Sequence, residues 1–331
     1  MKKVTMQDIA DMAGVSKTTV SIVLNDKSEE RKISKETSQK IWDIVNKLDF
    51  KPSFVARSLK SKKTHTIGFL VADISNLFYA KIGRIVEDLA WKQGYQVLFG
   101  STDESEEKEK ILIQDLVNRQ IDGLIIASTN PENDMIKNLV ESDFPVVLID
   151  RDTDSLNVNC IMVNNKLMMQ KAVERLIRLG KQRIGLLSIT PHIYTLKLRI
   201  DGYKEALKKH KIKINDKIIL YVDYKNIRTS TFEKLEMLID QNVDSIVFTN
   251  NQVATEVLKH IRTKYNPFLS KLEYAVFDNA DIFDYIPTHI TSIAQPIDDI
   301  ANKAIELLFN NINGNTKKQK ILLDGEMIVR S

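Results

Sequence analysis

The sequence predicts an α/β chain in which a small all-α module precedes a large body of two doubly wound parallel sheets. Three observations carry this. From Thr66 onward, short apolar runs alternate with amphipathic stretches: TIGFLVA, YQVLFG, GLIIAS, PVVLI, CIMV, RIGLLS, IILY, SIVFT, YAVF and ITSIA. Continuous apolar strands with helices between them mark parallel sheets covered on both faces. Ten such runs are many for one sheet, so two lobes, breaking near Val163 and crossing back near Ser292, are more economical. The third observation is charge: the net +4 divides into +6 over residues 1–63 (12 Lys and 2 Arg against 8 Asp and Glu) and −2 over the rest. A basic module attracts phosphate backbones, although a solvated lysine-rich surface has the same composition.

Composition bounds the function classes. Hydrophobic residues at 43% and charged residues at 28% describe an ordinary globular protein, and 331 residues suit two or three domains. The single cysteine, Cys160, leaves no internal disulfide and points to a reducing cytoplasm. The start MKKVTMQDIADMAG lacks the apolar run of a secretory signal, and no apolar segment approaches the roughly 20 residues that span a bilayer. The histidines at 65, 192, 210, 260 and 289 are scattered without metal spacing. No G-x-S-x-G, G-x-G-x-x-G or G-x-x-x-x-G-K-[ST] occurs. Neither an enzyme nor a cofactor or metal protein is expected.

In the first module, Thr5 and Asp8 form a capping-box pattern, and the first helix carries Ile9 and Met12 on one side with Ala10 nearby. Gly14 ends it in the left-handed conformation, Val15 plugs the turn, and Ser16 caps a second helix over KTTVSIVL. Val20, Val23 and Leu24 share its inner face. A third helix capped by Ser34 buries Ile41, Ile44, Val45 and Leu48. Two short helices across a tight glycine turn make a helix-turn-helix, whose second helix enters the major groove; the periodicity alone fits any three-helix bundle equally. Outward residues of that helix, Lys17, Thr18, Ser21, Ile22 and Asn25, then face DNA, and Thr5, Ser16 and Thr19 reach phosphate or cap locally.

The context decides between these. The stretches TMQDIADMAGVSKTTVSIVLN, KPSFVARSLKSKKTHTIGFLVADISNLFY, QIDGLIIAS, FPVVLIDR, RLGKQRIGLL, RIDGYKEAL, VFDN, TSIAQPIDDIANKAIELL and MIVRS stand in the order found in the LacI/GalR family of bacterial transcription regulators, which the chain resembles along essentially its whole length. The resemblance implies a helix-turn-helix domain (1–51), a hinge helix and linker (52–63), and a periplasmic-binding-protein-like effector and dimerisation core (64–331). Lobe 1 would comprise about 64–162 and 292–319, and lobe 2 about 163–291 and 320–331. It also implies a hinge in which Ser53 caps, Val55 and Ala56 face the partner hinge beside Arg57, and Leu59 wedges into the minor groove. An amphipathic linker with Leu59 buried is the alternative. Two departures stand out: the loop NDKSEERKISKET is about three residues longer than the usual family turn, and Ser53 replaces the commoner Asn.

In open parallel sheets, ligands sit beyond the carboxyl ends of the strands. That rule selects Asp73, Asn76, Phe78, Tyr79, Asp103, Ser128, Asp150 and Arg151 in the first lobe. In the second it selects Thr195, Arg199, Tyr224, Asn250, Asn251 and Asp278. Carboxylates and guanidiniums with an occasional ring suit a polyhydroxylated ligand. By resemblance, Phe78, Tyr79, Thr195, Arg199, Tyr224 and Asp278 match the family's effector contacts, and Asn76 and Phe78 belong to its D-x-x-N-x-F loop; each could equally be a loop cap or a brace between lobes. Ile193 stands where purine-binding relatives carry a charge, and Asn251 where sugar-binding members often carry Asp. The run STDESEEKEK reads as the solvated start of a helix. The expected protein is a cytoplasmic, ligand-controlled repressor binding a palindromic operator as a homodimer, with no coiled-coil tail for tetramers and no membrane contact. The competing class is a solute-binding protein of sugar transport, which shares the two-lobed core but would begin with a signal and lack the basic module.

Overall fold

The computed structural model describes residues 4–24, 28, 30–50, 63–151, 155–189, 194–263, 271–285 and 289–330. The chain divides into two compact units, Met1–His65 and Thr66–Ser331.

The first unit holds α1 (Met6–Ala13), α2 (Lys17–Leu24) and α3 (Lys35–Lys47). Thr5 accepts from the Asp8 amide while the Asp8 carboxylate takes the Thr5 amide, closing the capping box. Gly14 ends α1 at φ 70°, and the Val15 amide returns to the Ala10 carbonyl at 3.0 Å. Ile9, Ala10, Ala13, Val20, Val23, Ile41 and Val45 make the core, with Val15, Leu24, Ile44 and Leu48 packed at its margin. Met12 departs from expectation. It is 51% exposed, because the buried stripe of α1 runs through Ile9 and Ala13, four residues apart, and turns Met12 outward. The hinge residues Ser53, Val55, Ala56, Arg57 and Leu59, together with Asn25, lie outside the described residues, as does Ile193.

The second unit begins β1 (Thr66–Val71), α4 (Leu77–Lys92), β2 (Gln96–Ser101), α5 (Glu106–Asn118), β3 (Gly123–Ile126), α6 (Asp134–Glu141), β4 (Val146–Ile149) and β5 (Asn159–Val163). It continues α7 (Asn165–Arg178), β6 (Ile184–Ile189), α8 (Tyr194–Lys209), β7 (Ile219–Val222), α9 (Ile227–Asp240), β8 (Ser245–Phe248), α10 (Asn251–Thr263) and β9 (Glu273–Phe277). Then come β10 (Ile290–Ala294), α11 (Ile297–Ile312), β11 (Lys320–Leu323) and β12 (Glu326–Arg330). The strands form two six-stranded sheets, ordered β11-β5-β4-β3-β1-β2 and β12-β10-β9-β8-β6-β7. Every pairing is parallel except that of β12 with β10. Central strands such as β3, β4, β6 and β8 are buried at every residue, which is why they read as unbroken apolar runs.

Two boundaries differ from the sequence reading. Strand β10 lies whole in the second sheet, so the chain crosses back after Ala294 rather than near Ser292. Strand β11 pairs with β5 in the first sheet, and only β12 belongs to the second, so 320–331 is divided between lobes. Both β11 and β12 are edge strands that mix half-buried and exposed residues, and neither presents the buried apolar run that marks the inner strands. The three crossovers lie side by side: the Asn164 amide donates to the Leu323 carbonyl at 2.8 Å, and Gly325 packs against the Ala294 carbonyl.

Candidate functional site

A cleft opens between the lobes at the carboxyl ends of both sheets, the place where open parallel sheets hold their ligands. The first lobe contributes Ala72, Asp73, Asn76, Phe78, Tyr79, Glu104, Asp150 and Arg151. The second contributes Ile189, Thr195, Leu196, Arg199, Asn250, Gln252 and Asp278, and Gln295 enters from the crossover after β10.

Each charge among the described residues of the cleft has a partner. Arg151 makes a fork with Glu104, with N–H bonds of 2.8 and 2.5 Å, and a third bond to the Ser128 carbonyl at 3.1 Å. Burial favours neutral Arg151, yet Tyr79, Glu104 and Asp150 around it hold its proton above the usual arginine value. Asp150 accepts from the Tyr79 hydroxyl at 2.8 Å, and burial followed by the Asp150 charge keeps that phenol un-ionised. Arg199 donates to Asn165 at 2.7 Å and to the Thr249 carbonyl at 2.8 Å, stacks 3.7 Å above the Phe277 ring centre, and approaches Asp278 at 3.6 Å. Burial raises the pKa of Asp278, outweighing Arg199 and the bond it accepts from Gln295.

Several cleft residues also hold up their loops. Asn76 caps α4 by accepting from the Phe78 amide, and Asn250 accepts from the Val253 amide in α10. Asp73 spends both oxygens on Ser75. Three of the sequence-selected residues fall outside the cleft lining. Asp103 is exposed and turned to Lys108, because its left-handed backbone (φ 52°) directs the chain so that the next residue, Glu104, enters instead. Ser128 sits behind the wall, fully buried, donating to Glu109 at 2.7 Å. Asn251 lies at the mouth with Leu77, Gln252 and Ile282. The Tyr224 side chain lies outside the described residues.

Sequence reasoning missed Glu104 and Gln295. Applying the carboxyl-end rule to ITSIA, as to the other runs, selects Gln295 at once. Glu104 was concealed in STDESEEKEK, which is not uniformly solvated: Ser105 caps α5, but Glu109 in its first turn is fully buried. Glu109 accepts from Ser128, the Thr129 amide and Asn133, yet burial outweighs these bonds and raises its pKa. A carboxyl raised in the folded state contributes stability that is complete below its unfolded value, about 4.3, and is lost as pH rises through the folded value. The urea midpoint of the parent should therefore fall more than that of Glu109→Gln as pH rises from about 4 towards neutrality. Parallel pH profiles would contradict this.

The second candidate surface is α2. Ser16 accepts from the Thr19 amide at 3.0 Å and shares a 2.9 Å hydroxyl contact with Thr19, so both hydroxyls serve the cap. The Thr5 hydroxyl is likewise held by Asp8 at 2.7 Å. Lys17 and Thr18 are exposed, while Ser21 and Ile22 are half-buried beside them. Among the described residues, no three His, Cys, Asp or Glu side chains converge as metal ligands, and no helix is long and apolar enough to cross a membrane.

Comparison with known proteins completes the assignment. Residues 64–318 match the model described as periplasmic binding proteins and sugar binding domain of LacI family, and residues 5–53 match that of bacterial regulatory proteins, lacI family. The chain belongs to the LacI family. This LacI-family regulator is 30% identical over 324 residues to catabolite control protein A of Priestia megaterium, covering 96% of each chain. Its fold matches the lac repressor dimer bound to operator (23% identity, TM-score 0.82, covering 99% of this chain and 98% of that one). It also matches the Cra regulator of Pseudomonas putida in complex with fructose 1-phosphate (24% identity, TM-score 0.73, covering 81% and 99%). The regulator is thus a DNA-binding transcription factor with a ligand-binding core and not an enzyme. The match over its first module removes the transport-protein alternative.

Proposed function

We propose that the regulator is a cytoplasmic repressor that binds a palindromic operator as a homodimer and is controlled by a carbohydrate in the interlobe cleft. The observation that carries this is the cleft itself: both lobes line it, and Gln295, in a crossover between them, is bonded to Asp278. A ligand alters DNA affinity only by binding two lobe arrangements unequally. A cleft shared between lobes and tied to a crossover is built to bind unequally. Phe78, Tyr79, Asp150, Thr195, Arg199, Asn250 and Asp278 form the effector contacts, with Asp73 and Asn76 shaping their loop and Tyr224 completing the set.

Lys17, Thr18 and Ile22 read bases, Thr5, Ser16, Thr19 and Ser21 approach phosphate, and Asn25 is a further DNA contact. Ser53, Val55, Ala56, Arg57 and Leu59 form the hinge, with Leu59 as the minor-groove wedge. The dimer forms on α4 and β2, where Ile74 and Phe99 lie over Gly83 and, with Leu77 and Trp91, expose apolar surface.

Selecting binding sites from random DNA with the full chain tests the reading. Two-fold symmetric half-sites are expected. The half-site should carry an A·T pair under Ile22, because isoleucine can neither donate to guanine nor accept from adenine and packs best on a thymine methyl. An asymmetric site, or an invariant G·C at that step, would count against it.

A further inference from the structure

The charges of the cleft narrow the ligand beyond a carbohydrate of unspecified kind. Among the described residues, its lining holds four carboxylates (Asp73, Glu104, Asp150 and Asp278) against two guanidiniums (Arg151 and Arg199), a formal balance of −2. Neither guanidinium is available to an anion. The Arg151 fork is occupied by Glu104, and Arg199 is committed to Asn165, the Thr249 carbonyl and Asp278. Protonating Asp278 still leaves the balance negative. Among the described residues the mouth adds no free cation: Lys259 pairs with Glu256 at 2.7 Å, and Lys81 faces Asp281 at 3.7 Å.

What the cleft does offer is acceptors. Gln295 in the lining and Asn251 at the mouth, 8% and 7% exposed, flank Asp278, and the side-chain oxygen of each is buried without a partner. With Asp278 ionised, the Gln295 amide donates to it and turns its oxygen the other way. The buried Nε–H of Arg151 is also unpartnered, a single donor matched to a hydroxyl or ring oxygen, since the charge behind it is already neutralised by Glu104. A sugar phosphate carries about −1.5 to −2 at pH 7 and needs charge-assisted donors, whereas a polyol brings hydroxyl donors to these acceptors.

We infer that the cleft takes an uncharged carbohydrate and rejects its phosphate esters, selecting through Asp278, Gln295 and Asn251 while Glu104 keeps Arg151 from reading phosphate. This rests on the reading of the cleft as the effector site. Calorimetry and thermal shift on the full chain, with matched pairs (fructose and fructose 1-phosphate, glucose and glucose 6-phosphate, ribose and ribose 5-phosphate, cellobiose and its 6-phosphate), test it. An uncharged member should bind, its ester at least about tenfold more weakly, and Thr195→Trp, which fills the cleft, should abolish the binding. Glu104→Gln, which frees Arg151, should improve binding of that ester about tenfold, the worth of one regained charged hydrogen bond. Asp150→Asn should shift the preference the same way if Glu104→Gln fails to fold. An ester that binds the parent more tightly, and is lost in Thr195→Trp, overturns the inference and leaves the cleft as the carbohydrate site. Binding that Thr195→Trp leaves intact, or no binding by any member, overturns both.

Discussion

Replacing Arg199 with alanine is expected to lower the stability of the core by about 3–5 kcal/mol, the usual result of removing one partner of a buried ion pair. Arg199 is 4% exposed and Asp278 8%. Without the guanidinium, Asp278 keeps only its bonds from Gln295 and the Asn251 amide. The Asn165 side-chain oxygen and the Thr249 carbonyl lose their donors together, and the face of Phe277 loses its stacked cation. Lysine at 199 keeps the charge but has neither the fork nor the plane, so it should recover only part of the loss. The decisive comparison is a double replacement. Arg199→Ala with Asp278→Ala should be more stable than Arg199→Ala alone, because the uncompensated charge has gone. Urea midpoints that fall additively would show that burial of Asp278 does not depend on Arg199. The ligand response should vanish in all these variants, since Arg199 and Asp278 both line the cleft.

The same pair shows what was legible from residues alone. Asp278 and Asn250 end apolar runs, and Thr195 and Arg199 follow one at the start of the next helix, so a rule about strand ends finds them without any contact being known. The capping box at Thr5 and the Ser16 cap were legible because they are local, decided within three residues of chain. Pairings between distant residues are not local. Nothing near Glu104 announces that a loop 47 residues later will bring Arg151 to it, and an acid among other acids reads as solvated surface. Glu109 was missed for the same reason: its partners Ser128 and Asn133 come from the next βα connection. Strands β11 and β12 escaped because edge strands are half-exposed and carry no unbroken apolar signal. Their separate destinations are set by register against β5 and β10, which only the assembled sheets define.

Gly202→Ala should be the most damaging single-methyl change in the core. A Cβ at this position would stand 2.2 Å from the Lys166 carbonyl oxygen and 3.1 Å from the Gln170 amide, both backbone atoms of α7. No rotamer relieves such a clash, so α8 must move bodily away from α7. Overpacking of a well-filled core costs about 1–3 kcal/mol; a contact with backbone belongs at the upper end. The movement also has a functional direction. Gly202 lies three residues, about 4.5 Å of helix rise, beyond Arg199, and α8 carries Thr195 and Leu196 to the cleft as well. Moving α8 therefore pulls Arg199 from Asn165 in α7 and from Asp278, so ligand binding should weaken by more than the stability loss alone explains. Gly14→Ala is the control. A Cβ there meets nothing within 4 Å, and the only cost is the left-handed backbone at φ 70°, about 1 kcal/mol. That change should weaken the DNA-binding module while leaving the melting temperature and ligand affinity of the core untouched. If Gly202→Ala melts with the parent and binds ligand with unchanged affinity, the close approach of α7 and α8 is not what seats Arg199.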